Sequence, residues 1–310
     1  MLKIEPVFSE KIWGSSKLKK LGFDIPKNKK IGEAWIISAY KDNSSKIKNG
    51  ESLRDFYKNN KNLFNNYNSN EFPLLVKILD ANDHLSIQVH PNDEMAMELE
   101  KYPFGKTECW YVLETKNNND IVIGTTATSK DEARKLIKEN KWDEFLKTTP
   151  IEKDCLFDIK AGTVHAIKSG TLIYELQQSS DITYRLYDYD RVDVNGEKRE
   201  LQIEKSIKVI DYDSKDHKKE PILKEKIGSS RIYSMISNDL FILEKWIVND
   251  ELNTSVKKNE RNFLLITVIY GNANINGKKF NKYESGIITS DELKKISISG
   301  NATILVGSPK

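Results

Sequence analysis

The sequence predicts a mainly β protein, built as two small β-barrels with a few added helices. Three observations predict it. Runs of strand length, rich in Leu, Ile, Val and aromatic residues, recur along both halves of the chain. Some of them alternate apolar and polar residues with a period of two, as in LSIQVH (85–90). Helical periodicity is confined to a few stretches, and a polar, charged segment at 194–221 separates the two sets of strands.

In chain order, residues 1–48 read as short strands and loops around two Trp-containing segments, and 51–66 as a helix followed by a polar loop. Strands follow at FPLLVKILDA (72–81) and LSIQVH. The stretch 92–102 reads as a helix, with Asn92 as N-cap before two acidic residues. The stretch 129–147 reads as a second, longer helix lying over the barrel; Ser129 and Glu132 have the spacing of a capping box. Strands resume at CLFDIKAG (155–162), TLIYELQQ (171–178) and ITYRLYDYD (182–190). The middle of 194–221 reads as one helix and its end as a linker, which divides the chain into a first domain at 1–220 and a smaller one at 221–310. The second is built from further strand runs, with Asn276-Gly277 marking a hairpin inside ANINGKKF (273–280).

At 310 residues the chain suggests about two domains and a sizeable core. Hydrophobic residues at 38% and charged residues at 31% describe a globular chain and not a disordered one. The net charge of +3 is small, and the best basic cluster, Lys17, Lys19, Lys20, Lys27, Lys29 and Lys30, carries no interleaved aromatics, so it reads as a solvated face and not as a nucleic-acid surface. The start of the chain has no long apolar stretch, and no run reaches membrane-spanning length, so neither a signal peptide nor a membrane partner is expected and the location expected is cytoplasmic. Oligomeric state is not legible beyond a monomer or a weak dimer.

Four residues read as one metal site: Gln88, His90, Glu108 and His165. Successive strand side chains point to opposite faces, so Ser86, Gln88 and His90 share a face, as do Lys106, Glu108 and Trp110. His165 follows Gly162 in a turn-like stretch between two apolar runs. Two imidazoles, a carboxylate and an amide oxygen are reasonable zinc ligands, and their net charge of about −1 leaves the ion a Lewis acid. A single strand histidine is more often structural; it is the joint occurrence of the four that points to a metal. His84, off the alternating face, and His217, in a charged run, read as solvated, and no histidine follows His217, so the second domain cannot repeat a His-based site. The two cysteines make no disulfide framework: Cys109 points away from Glu108, and both it and Cys155 read as small buried apolar groups.

The segments LSIQVHPNDE, GKTECWYVL, AGTVHAI and ELQQSSDITYRLYDYDR, together with KIWGSSKL and GEAWIISA, resemble the type I mannose-6-phosphate isomerases in their short bacterial form, a family of the cupin superfamily. The likeness runs over most of 1–215 and continues more weakly to the end. It implies cupin-like jelly-roll barrels, one Zn2+ per chain, and interconversion of mannose 6-phosphate and fructose 6-phosphate through an enediolate-type intermediate. It makes Arg185 the cation that steadies developing negative charge and Glu175 an acidic active-site group. Lys106, on the Glu108 face, reads either as an acid–base partner or as a group that steadies developing charge. Ser86 and Lys77 are candidates for the substrate phosphate: the hydroxyl shares the Gln88 face, and a lysine inside an apolar strand must point into a polar cleft. Trp13 either lines that cleft or packs in the core. Which group moves the proton stays open among Glu175, Lys106 and metal-bound water. Lys160 stands where cupins commonly carry a proline, which bears on the loop and not on the ligand. Two rivals remain at this level: a metal-dependent cupin oxygenase, disfavoured by the neutral Gln88, and a non-catalytic sugar-phosphate-binding module.

Overall fold

The computed structural model describes residues 1–26, 29–192, 196–215 and 217–310. Lys27 of the basic cluster lies outside them. The chain forms three main antiparallel sheets stacked in layers. A seven-stranded sheet runs in the order Lys218–Lys219, Leu156–Ile159, Glu108–Thr115, Thr171–Gln178, Leu74–Ala81, Ile31–Ile37, Val7–Ser15. A five-stranded sheet faces it, in the order Leu146–Ile151, Asn119–Thr125, His165–Ala166, Ile87–Val89, Tyr184–Tyr187. A ten-stranded sheet holds the C-terminal strands and also takes Leu2–Glu5 and Lys46–Ile47 from the chain's start. Enclosure comes from facing open sheets and not from one closed cylinder of hydrogen bonds.

Period-two patterning assigns each face. In the seven-stranded sheet Cys109, Tyr111, Tyr174, Leu176, Val76 and Ile78 point to the core shared with the ten-stranded sheet. Their neighbours Trp110, Val112, Ile173 and Leu79 point the other way, into the core shared with the five-stranded sheet. In the five-stranded sheet Ile87, Val89, Val164, Ala166, Tyr184 and Leu186 form the outer face, in one cluster with residues of the helices Lys130–Lys138, Trp142–Phe145 and Ile203–Val209. Gln88, His165 and Arg185 therefore turn inward, and they are aligned: His165 pairs with Gln88, and Gln88 pairs with Arg185.

The helices form where their caps allow. Asn92 accepts a hydrogen bond from the Met95 backbone at 2.9 Å and starts Asp93–Glu100. Ser129 accepts from the Glu132 backbone at 3.3 Å, whereas the Glu132 carboxylate reaches back to Thr128, one residue beyond the cap. The single helix expected at 129–147 is broken: Asn140 adopts φ 54°, a left-handed conformation that asparagine tolerates, and a short second helix and a strand follow. Asn276 and Gly277 take φ 47° and 77°, the two positive angles of a type I′ hairpin turn. No helix among the described residues is long and apolar enough to cross a membrane.

Candidate metal and substrate site

The site lies between the inward faces of the seven- and five-stranded sheets. His90, just past Ile87–Val89, Glu108 at the start of its strand, and His165 in the middle of the five-stranded sheet bring one ligand atom each within 4.8 Å of one another. All three are buried. His165 sits on a short paired strand that begins just past the Gly162 turn. The loop before that strand is fixed by Gly162, at φ 86°; a Cβ there would meet Asp211 at 2.8 Å. Gly162 donates its N–H to the His90 carbonyl at 2.8 Å, which ties two of the three segments together.

Each imidazole is oriented by its far nitrogen. His90 Nδ1 lies 2.8 Å from the Ile182 carbonyl and His165 Nδ1 2.9 Å from the Thr163 carbonyl, so both donate there and present Nε2 as a lone pair. His90 Nε2 stands 3.7 Å and His165 Nε2 3.5 Å from the Glu108 carboxylate. Burial and the nearby Lys106 ammonium hold His90 well below the ordinary imidazole range and push His165 down to about 3. Neutral imidazoles beside a carboxylate are the protonation states a divalent ion needs. The buried Glu108 Oε1 accepts no hydrogen bond. A cation fits that donor set, and the Lys106 ammonium already lies against it, touching Glu108 Oε2 and 3.0 Å from His90 Nε2. Gln88 joins the cluster through its amide, whose nitrogen is 3.3 Å from His165 Nε2 and whose oxygen accepts from Ser86 at 3.3 Å. The amide nitrogen and oxygen would have to exchange places for Gln88 to offer an oxygen ligand at His165.

Beside this cluster runs a row of buried charges on the seven-stranded sheet. Lys77 pairs across the ladder with Glu175, and Glu175 with Trp110. Trp110 Nε1 donates to Glu175 Oε2 at 3.0 Å, and Lys77 Nζ is 3.5 Å from Glu175 Oε1 and 3.6 Å from Asp181. Burial and the Glu108 charge raise the Glu175 pKa above the ordinary carboxyl value, against the pull of Lys106 and Lys77. Burial opposes the charge on Lys77, but Glu33, Glu175 and Asp181 outweigh it and hold its pKa above the usual lysine value. Arg185 lines the same cleft, with its buried Nε unpaired. Trp13 does both things open to it: it lines the cleft and belongs to the core cluster beneath it.

The cleft thus gathers Ser86, Gln88, Lys77, Lys106, Glu175 and Arg185. Two histidines differ from expectation. His84 is half-buried, not solvated: its Nδ1 accepts from the Ser169 backbone at 3.2 Å, and its ring lies 5.5 Å from Tyr189. His217 is half-buried against the Asp158 carbonyl, with Nδ1 at 3.3 Å. Cys109 and Cys155 are both buried and free. Sequence reasoning missed Glu33, which accepts from Trp35 Nε1 at 2.7 Å and pairs with Lys11 at 3.4 Å. The signal that marked Lys77, a lone charge in an apolar strand, was also present at Glu33. It missed Asp181 and Arg199 as well, which lie on loops where no periodicity operates.

The description "Phosphomannose isomerase type I, catalytic domain" matches residues 1–132. A probable mannose-6-phosphate isomerase of Bacillus subtilis, GmuF, is 36% identical over 316 residues, covering 99% of each chain. A mannose-6-phosphate isomerase of Streptococcus mutans is 41% identical, with 87% of each chain covered. The chain belongs to the type I phosphomannose isomerase family. The crystal structure of a Bacillus subtilis mannose 6-phosphate isomerase superposes with a TM-score of 0.93 at 33% identity, over 99% of this chain and 98% of that one. Family membership agrees with the cupin-type stacking of sheets and with the His90–Glu108–His165 cluster at its centre.

Proposed function

We propose that the chain is a zinc-dependent isomerase that interconverts mannose 6-phosphate and fructose 6-phosphate through an enediolate-type intermediate. The observation that carries the proposal is the convergence of His90, Glu108 and His165 within 4.8 Å, next to a cleft that Gln88, Lys106, Glu175 and Arg185 line. His90, Glu108, His165 and Gln88 would hold the ion, which when bound supplies Lewis acidity at the sugar oxygens.

The other groups then divide the chemistry. Glu175 takes the proton from C2 of the aldose, that proton exchanges with solvent at the enediolate stage, and Glu175 then delivers a proton to C1; the C2–H electron pair becomes the C1–C2 double bond, and negative charge moves onto O1. A carboxyl with a raised pKa holds that proton well. Trp110 and Lys77 fix its position. Lys106, inside the cluster, carries the hydroxyl proton between O2 and O1. Arg185 stays charged and offers donors in a fixed plane to the oxygens that become negative. Ser86 lies at the Gln88 side of the cleft, where its hydroxyl donates to Gln88 Oε1 at 3.3 Å and would have to turn to donate to the substrate. Lys77 has its charge matched by three carboxylates, which weakens its claim on the phosphate.

The test is conversion in D2O. Fructose 6-phosphate should form from mannose 6-phosphate without oxygen uptake and carry solvent deuterium at C1. Absence of that product, or a product free of deuterium at every stage of conversion, contradicts the proposal.

A further inference from the structure

Arg185 and Arg199 both line the cleft. They lie close enough that, after burial, Arg199 is the main influence lowering the Arg185 pKa. Among the described residues no carboxylate comes within ion-pair distance of Arg185, and its buried Nε has no partner. Arg199 is held differently. Its Nε donates to Asp188 Oδ2 at 2.7 Å and its Nη2 to Oδ1, a two-point grip that leaves Nη1 outside it. Asp188 is nearly buried and also accepts from Arg191 Nη2 at 2.6 Å. Arg191 also meets Asp83 at 3.5 Å, so Asp83, Asp188, Arg191 and Arg199 sum to about zero and Arg185 leaves a surplus of about +1. Two guanidiniums facing one cleft, with that surplus, form a site for an anion. Arg185 pairs in the ladder with Gln88, beside the proposed metal, whereas Arg199 comes from the loop beyond that strand.

Resting on the isomerase reading, we propose that Arg199, positioned by Asp188, binds the phosphate of the sugar and so selects phosphorylated hexoses over free ones. Arg185 faces the reacting carbons, and Arg199 the far end of the substrate. Asp188 is a positioning residue: it fixes the guanidinium plane, and Arg191 offsets the negative charge it brings.

The test compares wild type, Arg199→Gln, Arg199→Lys and Asp188→Asn, using mannose 6-phosphate and mannose as substrates and inorganic phosphate as inhibitor. Losing a charge-assisted contact should raise KM for mannose 6-phosphate roughly 10–100-fold in Arg199→Gln, with a much smaller fall in kcat. The inhibition constant of phosphate should rise in parallel, and the preference for mannose 6-phosphate over mannose should shrink. Arg199→Lys should recover part of the loss, and Asp188→Asn should raise KM without moving the metal content. If Arg199→Gln keeps the wild-type KM and phosphate inhibition, Arg199 does not bind the phosphate. If kcat and KM deteriorate equally for both sugars, its role is structural. If wild type itself fails to convert mannose 6-phosphate, the isomerase reading falls instead, and phosphate binding measured directly on wild type and Arg199→Gln still decides the anion site.

Discussion

His90 and His165 show how little separates a structural histidine from a ligand. Both give Nδ1 to a backbone carbonyl, as many core histidines do; what differs is that the two Nε2 lone pairs and a carboxylate converge. His90→Ala should remove metal and activity together, read by elemental analysis and a coupled assay on the same sample. Arg185→Lys keeps the charge but loses the planar fork, so kcat should fall roughly 10²–10³-fold, with only a small shift in the unfolding midpoint. Glu33 makes a different kind of prediction. Burial would raise its pKa, but Lys11, Lys77 and the Trp35 hydrogen bond lower it from 4.5 to about 2. A carboxylate depressed in the folded state stabilises it above the unfolded pKa and loses that contribution as pH falls through the folded one. Glu33→Gln should therefore destabilise the protein by about 1–3 kcal/mol near neutrality. The gap should close as pH falls from 4.5 towards 2, as followed by denaturant melts across pH. A gap that widens in acid would reverse the sign of the argument.

At the scale of elements, the Gly162 turn is the joint of the site. Gly162→Ala would meet the Asp211 side chain and the Val209 carbonyl at a backbone angle alanine rarely adopts. The expected cost is about 1–3 kcal/mol. Zinc affinity should weaken as well, because the same residue holds the His90 carbonyl; calorimetry and metal titration on one preparation check both. Much of this level was legible in the sequence. Strict alternation in 85–90 put Gln88 and His90 on one face, because the outward partners Ile87 and Val89 had to be covered. Asn92 and Ser129 announced their helices because caps act within a few residues. What was not legible depends on long-range packing. The break at Asn140, the pairing of His165 with Gln88, and the arrival of Arg199 beside Arg185 join segments that carry no local mark of one another. His84 and His217 were misread for the same reason, since the strands and loops that half-bury them are distant in sequence.

At the scale of the molecule, the proposed division at 220/221 separates the strands around His90, Glu108 and His165 from the histidine-free sheet that backs them. The apolar core does not respect that line: Tyr174 and Leu176 share one cluster with Leu243, Leu265 and Leu305, and Leu2–Glu5 pairs with Ser285–Ile288. A fragment ending at residue 220 would leave this face of the seven-stranded sheet in water. It should aggregate or melt without cooperativity, whereas the full chain should unfold in one transition by calorimetry; a soluble, active fragment would show that the C-terminal sheet is dispensable. The layered stack has one chemical consequence above the others: it presses three distant segments together so that His90, Glu108 and His165 converge, near the buried carboxyl of Glu175. The most direct measurement follows zinc content and mannose 6-phosphate turnover on one sample, through exhaustive chelation and stepwise return of zinc. The account predicts that turnover vanishes with the metal and recovers in proportion to zinc, saturating at about one ion per chain. Full turnover in the metal-free protein would contradict it.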